Sequence, residues 1–354
     1  MVDRSHTPDI QEDEEGSEEL YERLTITVDQ RQEPLRIDKF LTARIEHATR
    51  NKVQQAAEAG LVLVNDQPVK SNYKIRPGDH ILVYSYREPP DTQIIPEDIP
   101  LNIVYEDDDL MIVDKPAGMV VHPGSGNRSG TLVNGLAWYL GAREAVEGEP
   151  PVPRFGLVHR IDKDTTGLLV VAKSEKAMND LARQFFDHTV KRRYEALVWG
   201  DFEQEEGRIE AHIGRHQRFR KIMDAFPDGE HGKHAVTHFK VLERFHYVTR
   251  IECRLETGRT HQIRVHMRYI GHPLFNDATY GGDRVVKGTV FAKYKQFVDN
   301  CFSLIPRQAL HARSLGFVHP RTREQMYFES ELPDDFRQVV EKWREYGSTL
   351  KTGG

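Results

Sequence analysis

Cysteine is scarce in this chain of 354 residues, which has only two, Cys253 and Cys301. Neither shows the paired spacing of a zinc site or of a disulfide framework, so both are expected to be reduced core residues. Long apolar runs are also missing. No stretch of about 18 apolar residues can span a membrane, and no charged-then-apolar leader opens the chain. The sequence therefore predicts a cytoplasmic protein with no membrane partner.

Two further absences concern cofactors. The glycines at 124, 126 and 130 do not have the spacing of a dinucleotide-binding turn, and no phosphate-loop motif occurs, so no nucleotide cofactor is expected. The histidines at 261, 266 and 272 match no metal-binding HExxH or HxxEH pattern. We therefore predict an activity that requires neither a cofactor nor a metal.

Negative charge is concentrated at the start of the chain. The net charge is −6, but residues 1–33 hold eleven acidic residues against three arginines, a net of −8, so the remainder carries +2. The segment 1–33 is predicted to be an acidic tail, disordered at least as far as Glu19. Basic residues cluster at 215–221 and 319–323, a pattern that permits contacts with the phosphates of RNA.

A small separate domain is predicted over 34–86. Apolar residues from Ile37 onward recur at helical spacing, Thr49 suits the N-cap of a second helix, and Gly60 suits its end. Basic side chains on these helices are more often a solvated face than an RNA surface. They are Arg36, Lys39, Arg44, Arg50 and Lys52.

The stretch 87–100 contains four prolines, which favour an extended and stiff connection, so the domain boundary is placed there. A main domain is expected over 101–345, and residues 346–354 are expected to form a flexible tail. We expect the protein to be a monomer.

The densest polar cluster in an apolar neighbourhood is GLVHRIDKDTTGLLVVAK, from Gly156 to Lys173. Its apolar runs predict two buried strands joined by turn residues at 165–167, with the charged residues on the connection. A single charged turn is usually only a solvated loop. A second strand-flanked cluster rich in Arg and His, LETGRTHQIRVH at 255–266, can face the first across one cleft. Together the two clusters predict an active site.

Three strings of the small domain, RIDKFL, TRNKVQQAAEAGLVLVNDQPVK and KIRPGDHILV, carry a family resemblance. They resemble the small RNA-binding domain named after the fourth small-subunit ribosomal protein. In that family the basic helical face docks on structured RNA. The resemblance therefore implies an RNA partner. It favours an RNA-binding surface, whereas the charge pattern alone favours a solvated face.

Six strings of the main domain occur in a fixed order: KPAGMVVHPG, HRIDKDTTGLLVVAK, RRYEALVWG, LETGRTHQIRVH, GHPLFNDATYGG and LHARSLGFVHP. Together they closely resemble the RluA-type pseudouridine synthases, and the resemblance covers roughly 34–345. It implies an isomerase that acts on RNA, most closely on large-subunit ribosomal RNA. It also implies an α+β fold, a mixed and largely antiparallel central sheet with flanking helices, preceded by a small α/β RNA-binding domain.

The resemblance assigns roles to individual residues. Asp162 corresponds to the nucleophile, and Arg264 to the arginine that pairs with it. Tyr194 corresponds to the tyrosine that packs on the target base and is the candidate for removing the proton from carbon 5. Arg160 corresponds to the arginine that helps displace the target nucleotide from its stack. The residues predicted to bind the substrate are Arg160, His159, Lys115, Arg259 and His261.

Two alternatives remain at this point. One is an RNA-binding ribosome assembly factor with no catalytic activity. The other is a glycosidase built on Asp162 and Asp164, which is weak because its two carboxyl groups must flank the scissile bond about 5 to 9.5 Å apart, whereas these residues share one tight turn. Lys115 and His122 fit the wall of a cleft and an ordinary loop equally well. The order of the chemical steps is not specified by the sequence.

Overall fold

The computed structural model describes residues 21–45, 48–85, 94–123, 127–141, 156–219 and 222–352. The chain divides into two compact units, Met1–Gln93 and Ile94–Gly354. The division lies inside the proline-rich stretch 87–100. Among the described residues, no helix is both long enough and apolar enough to cross a membrane. The disorder predicted up to Glu19 lies outside the described residues.

The small unit is a four-stranded antiparallel sheet with two helices. Its elements are β1 (Tyr21–Thr27), α1 (Ile37–Thr42), α2 (Arg50–Glu58), β2 (Val62–Val64), β3 (Gln67–Pro68) and β4 (His80–Ser85). The strands lie in the order β1-β4-β2-β3. Because β1 pairs with β4, the prediction of a disordered tail over 1–33 is wrong for 21–27. Leu24 and Ile26 pack against the core of this unit, which gives β1 an apolar face to bury.

The second helix of the small unit begins and ends where the sequence predicts. The Thr49 side chain accepts a hydrogen bond from the Lys52 backbone N–H at 3.4 Å, which satisfies one of the free donors of the first turn. Val53 and Ala57 are buried against the sheet. Gly60 follows the helix with a φ of 74°, a conformation that glycine adopts without steric cost.

The large unit is built on one ten-stranded sheet. Its elements are β5 (Ile103–Glu106), β6 (Leu110–Lys115), α3 (Leu132–Gly141), β7 (Thr166–Ala172), α4 (Glu175–Phe186), β8 (Lys191–Trp199), β9 (Glu206–Arg215), β10 (Met223–Phe226), β11 (Lys233–Arg244), β12 (Val248–Leu255), α5 (Gln262–Tyr269), α6 (Ala292–Leu304), β13 (Leu310–Val318), β14 (Gln325–Glu329) and α7 (Asp334–Thr352).

The strand order of this sheet is β10-β9-β11-β12-β8-β13-β7-β6-β5, and β14 pairs with β13. All of these pairings are antiparallel except β13 with β7, which is parallel. The predicted α+β fold with a mixed, largely antiparallel sheet is confirmed. The last helix, α7, continues into the segment 346–354 that was expected to be a flexible tail.

The central strand β8 separates two apolar cores. Successive side chains of a strand point to opposite faces of a sheet. Ala196 and Val198 pack in one core, together with residues of α3 and α5. Leu197 and Trp199 pack in the other, against α6 and α7. The alternation places Tyr194 on the same face as Ala196 and Val198.

Two local expectations differ from the structure. Residues 165–167 were expected to be a turn, but β7 already begins at Thr166. Gly167 has a φ of 111°, and a Cβ there would lie 2.3 Å from the Ala312 backbone oxygen, so a glycine is needed where β13 passes this close. The second polar cluster was expected between strands, but Gln262–Tyr269 forms helix α5 after β12. Arg264 is therefore on a helix.

Candidate active site

The loop that carries Asp162 is held at several points on its backbone. The Thr165 N–H donates to the Asp162 carbonyl at 3.1 Å and closes a turn. Arg307 donates from Nη1 to the Asp164 carbonyl at 3.1 Å. The same guanidinium forms a two-point ion pair with Asp335, at 2.7 and 2.9 Å, which fixes its orientation. These contacts make the loop a rigid support for its side chains.

Lys115, at the end of β6, is a structural part of this support. Its Nζ donates to three backbone carbonyls: Pro116 at 2.7 Å, Met119 at 2.9 Å and Lys163 at 2.8 Å. Burial lowers the pKa of Lys115 to about 7, although nearby Asp164 and Asp162 act to raise it. An ammonium group has three donors, and all three are used here. In the folded chain Lys115 ties the loop to β6, and that it also binds the substrate stays a prediction.

Arg264 joins Asp162 to a second, deeper carboxylate. Its Nε and Nη2 donate to Asp277 at 2.7 and 2.9 Å, and its Nη1 donates to Asp162 Oδ2 at 3.1 Å. Burial acts to lower the pKa of Arg264, but the hydrogen bonds and charges of Asp277 and Asp162 outweigh it, so the pKa is raised. The guanidinium therefore stays charged, and Asp162 always faces a cation.

Asp277 completes this arrangement from the loop after α5. It is 1% exposed, and its Oδ1 also accepts the backbone N–H groups of Thr279 and Tyr280 at 3.1 and 3.2 Å. Every one of these contacts holds Asp277 still. As a result, two of the five N–H donors of Arg264 are used to fix its position, and a third is aimed at Asp162.

The second oxygen of Asp162 is less constrained. Its side chain is 17% exposed, and Oδ1 lies 3.9 Å from His261 Nε2, beyond hydrogen-bonding distance. His261 Nδ1 lies 2.8 Å from the hydroxyl of Tyr280, which also accepts the Met223 N–H at 3.2 Å. The hydroxyl can accept from Met223 and donate its own proton to His261 Nδ1, and a neutral ring in that tautomer would carry its proton on Nε2, the atom nearest Asp162. Burial of His261 lowers its pKa, which favours this neutral ring.

Tyr194 contributes a buried ring to the same cleft. It is 7% exposed and lies on β8, on the face that the strand turns toward α5. Burial raises the pKa of Tyr194; the charge of Arg192 opposes this, and that of Asp162 adds to it. The hydroxyl is therefore a protonated phenol at neutral pH. The Tyr194 ring and the Asp162 carboxylate line one cavity, and the charge of the carboxylate contributes to the raised pKa of the phenol.

That cavity has a volume of about 590 Å³. Sites for small molecules commonly measure roughly 300 to 1,000 Å³, so it has room for a nucleotide. The structure brings seven of the eight predicted site residues together in its lining. They are His159, Arg160, Asp162, Tyr194, Arg259, His261 and Arg264.

The predicted substrate-binding residues in this lining differ in what they offer. Arg160 is exposed at the cavity. Arg259 already donates from Nε to the His234 carbonyl at 3.1 Å, so one of its donors is used. His159 accepts the Val170 backbone N–H on Nε2 at 3.0 Å and stacks on Phe185 with ring centroids 4.5 Å apart.

Burial lowers the pKa of His159 to about 3, with a further contribution from the charge of Arg192. A neutral, stacked ring that holds the backbone of β7 is a wall of the cavity and not a source of positive charge.

Sequence reasoning missed three polar residues of the site. Asp277 lies in GHPLFNDATYGG, a string that carries the family resemblance but in which no local pattern distinguishes this aspartate. Tyr280 lies in the same string. Arg192 precedes Tyr194 by two residues and so shares its face of β8. The strand period was the signal that could have identified Arg192.

One group of potential metal ligands occurs among the described residues. Asp107, Asp109 and His319 bring oxygen and nitrogen atoms within 4.8 Å of one another. Arg321 Nε lies 2.6 Å from Asp109 Oδ2, and His319 Nε2 lies 3.0 Å from Asp107 Oδ2. The arginine already supplies positive charge at this position, and the cluster joins the β5–β6 turn to the β13–β14 turn.

Comparison with known proteins gives a consistent family. Residues 109–269 match the family model described as RNA pseudouridylate synthase, and residues 35–81 match the S4 domain. A Chlorobaculum parvum protein named "Uncharacterized RNA pseudouridine synthase" is 48% identical over 91% of this chain and 98% of its own length. A Nitrosomonas europaea protein named "Ribosomal large subunit pseudouridine synthase D" is 42% identical over 93% of this chain and 90% of its own length.

A solved structure shares the fold. The human "RNA Pseudouridylate Synthase Domain Containing 4" superposes with a TM-score of 0.52 at 22% identity, over 69% of this chain and 93% of that one. The long alignments, the matched family models and this fold agree with one another. The chain belongs to the RNA pseudouridine synthase family and is an isomerase.

Proposed function

We propose that this protein is a cytoplasmic, monomeric enzyme that converts uridines of large-subunit ribosomal RNA to pseudouridine. The names of its relatives support the choice of RNA. The observation that carries the proposal is the Asp162 carboxylate, 3.1 Å from the Arg264 guanidinium and in one cavity with the Tyr194 ring.

We assign Asp162 the role of nucleophile. A carboxylate oxygen is a nucleophile that enzymes use, and the neighbouring guanidinium holds the Asp162 carboxylate in place through a charge-assisted hydrogen bond. Arg264 binds Oδ2, which leaves Oδ1 on the side of the cavity. The three backbone contacts of Lys115 and the contact of Arg307 support this geometry, because the loop needs no rearrangement before the reaction.

The reaction conserves all atoms of the nucleoside. The bond between C1′ of the ribose and N1 of uracil breaks, the base turns, and a bond forms between C1′ and C5. The temporary bond that Asp162 makes to the nucleoside breaks in the same sequence, so the carboxylate is regenerated. The hydrogen on C5 leaves as a proton, and N1 gains one. Because the detached base stays in the cavity, the same site can present it again.

We assign the Tyr194 ring to packing on the uracil, and its hydroxyl to receiving the C5 proton. The raised pKa of Tyr194 supports the first role directly, since the phenol is neutral and buried. For the second role the hydroxyl must pass its own proton onward as it accepts another. Arg160, exposed at the cavity, is assigned to hold the nucleotide out of its stack, a displacement that costs a few kcal/mol.

The test is a map of pseudouridine in ribosomal RNA. Cells that lack the protein should lose pseudouridine at one or more positions of the large-subunit RNA, and supplying the wild-type gene should restore them. Purified protein should make the same change in a transcript of that region without added metal or cofactor. An unchanged map in the deficient cells would refute the choice of substrate.

A further inference from the structure

Arg192 is a buried cation without a counter-charge. Only 9% of its surface is exposed. Its buried Nε has no hydrogen-bond partner, and none of the ion pairs found in the described part of the chain includes it. Burial of an unpaired charge is costly, so proteins normally avoid it. A position that keeps such a charge has a reason outside the folded chain itself.

The neighbours of Arg192 show that carboxylates are not in short supply. Arg193, the next residue of β8, points to the opposite face and pairs with Glu252 at 3.2 Å. Arg264, in the same cavity, contacts both Asp162 and Asp277. Arg192 is the member of this set that faces the cavity with its charge uncompensated.

The surroundings of Arg192 keep its guanidinium at the cavity wall. Its carbon Cζ lies 5.3 Å from the centre of the Phe185 ring, a cation–π contact from one side. Gly258 also lies against the guanidinium, since a Cβ built there would be 2.9 Å from Nη1. Arg192, Phe185, Gly258 and Tyr194 all line the cavity of about 590 Å³.

We propose that Arg192 binds a backbone phosphate of the RNA, next to the uridine that packs on Tyr194. The proposal rests on the proposed function, because that function brings RNA into the cavity. Uracil and ribose are neutral, so the phosphodiester is the anion that a displaced uridine carries with it. The planar fork of a guanidinium matches two phosphate oxygens. The bound phosphate supplies the missing counter-charge and anchors the nucleotide beside Asp162.

The first test compares neighbouring arginines of β8. RNA affinity is measured at several salt concentrations with a transcript of the large-subunit segment, for wild type, Arg192→Gln, Arg192→Lys and the control Arg193→Gln. We expect Arg192→Gln to weaken binding roughly 10- to 100-fold and to lower the salt slope by about one, while Arg192→Lys loses less. Arg193→Gln should match the wild type. Equal salt slopes for Arg192→Gln and wild type would overturn the proposal.

The second test identifies the ligand atom. The phosphates that flank the target uridine are replaced by uncharged methylphosphonates, and binding to wild type and Arg192→Gln is compared. If Arg192 binds a phosphate, Arg192→Gln should cause little further loss of affinity for the RNA in which that phosphate is already uncharged. An equal loss with both RNAs would mean that the guanidinium contacts the base, and would overturn the phosphate assignment. Neither binding measurement depends on turnover, so its result is separate from that of pseudouridine formation.

The third test needs no RNA. Arg192→Gln removes an unpaired buried charge, so its midpoint of unfolding in urea should equal or exceed that of the wild type. A midpoint lower than that of Arg193→Gln would identify Arg192 as a structural residue and would overturn the proposal even if RNA binding were lost.

Discussion

Each unit of this protein holds an aspartate among arginines, and the two aspartates differ in how completely they are bound. Asp38 of the small unit is fully buried. It accepts hydrogen bonds from Arg36, Arg50 and Gln54, at 2.9 to 3.1 Å. Asp162 of the large unit is 17% exposed and accepts one side-chain hydrogen bond, from Arg264.

The difference shows what makes a paired carboxylate reactive. Burial acts to raise the pKa of Asp38, but its hydrogen bonds with Arg36, Gln54 and Arg50 outweigh burial, and the pKa is lowered. With both oxygens occupied, Asp38 can only hold α1 and α2 together. Asp162 has the same kind of partner but keeps one oxygen toward a cavity. An arginine partner orients a carboxylate in both units, but only an oxygen without a hydrogen bond is available to react with a substrate.

The same comparison changes the interpretation of the basic helical face. Arg36 and Arg50 were counted with the basic side chains that could dock on RNA, yet both direct their guanidinium groups to Asp38. The exposed lysines Lys39 and Lys52 remain on the surface of α1 and α2. RNA binding by this face is thus expected to depend more on the lysines than on these two arginines.

The largest effect is expected at Asp162. Asp162→Asn keeps the shape of the side chain but removes the charge, so pseudouridine formation should be abolished while RNA binding persists. Stability should change little, because Arg264 keeps both of its hydrogen bonds to Asp277. The measurements are pseudouridine content of a modified transcript, RNA affinity and the unfolding midpoint. Normal pseudouridine levels with Asp162→Asn would contradict the assignment of Asp162 as the reactive aspartate and Asp38 as the structural one.

The second-largest effect is expected at Arg264. Arg264→Gln leaves Asp277 as a buried charge without its cation, which should cost about 3 to 5 kcal/mol and stop the reaction. The double variant Arg264→Gln with Asp277→Asn should recover most of the stability, since both charges are gone, but none of the activity. Urea unfolding and product analysis check the two parts separately. Recovery of activity in the double variant would show that Arg264 only stabilises the fold.

Asp38→Asn should give the opposite result to Asp162→Asn. It weakens several charged hydrogen bonds in the small unit, so we expect a loss of about 3 kcal/mol of stability there. The rate of isomerisation at saturating RNA should be unchanged. Hydrogen exchange of α1 and α2 measures the first effect, and single-turnover kinetics the second. A slower chemical step in this variant would contradict the division of roles.

A smaller effect is expected from acid, which should lower the stability of the large unit before that of the small unit. Burial lowers the pKa of His159 to about 3, and those of His266 and His311 to about 4. Between about pH 6.5 and 4 the unfolded chain binds protons that these folded rings do not, so stability is complete above this range and falls with pH. Each histidine contributes up to about 1.4 kcal/mol per pH unit.

The small unit should resist the same acid range. The lowered pKa of Asp38 preserves its contribution above about pH 3.9, and that contribution is lost only below this value. All three tryptophans of the sequence lie in the large unit, so their fluorescence follows that unit alone. As the pH is lowered from 6.5 to 4, we expect the urea midpoint followed by tryptophan fluorescence to decrease. The protection of α1 and α2 from hydrogen exchange should be lost only at lower pH. Simultaneous loss of both signals would contradict this order.

Much of the site was predictable because it is carried by local strings. The cluster around Asp162, the helix capped by Thr49 and the largely antiparallel sheet all follow from short patterns and from the family resemblance. The contacts that were missed join distant segments. Lys115 reaches the carbonyl of Lys163, 48 residues away, and no local pattern distinguishes such an anchor from a substrate ligand.

The same reason explains the other differences. β1 lies in an acidic segment, and its pairing with β4 joins residues more than 50 positions apart. Asp277 is an ordinary acidic residue of a loop until the fold brings Arg264 against it. His261 is the N-cap residue before helix α5, and its positive φ of 56° is a backbone conformation that composition does not reveal.

Release of the hydrogen from C5 measures the central claim most directly. An RNA transcript carrying tritium at C5 of its uridines is mixed with an excess of wild-type or Asp162→Asn protein, and tritium in water is followed through a single turnover. The account predicts the release of one tritium per modified uridine with the wild type. It predicts no release with Asp162→Asn, although that variant binds the RNA. Release at the wild-type rate by Asp162→Asn would contradict it.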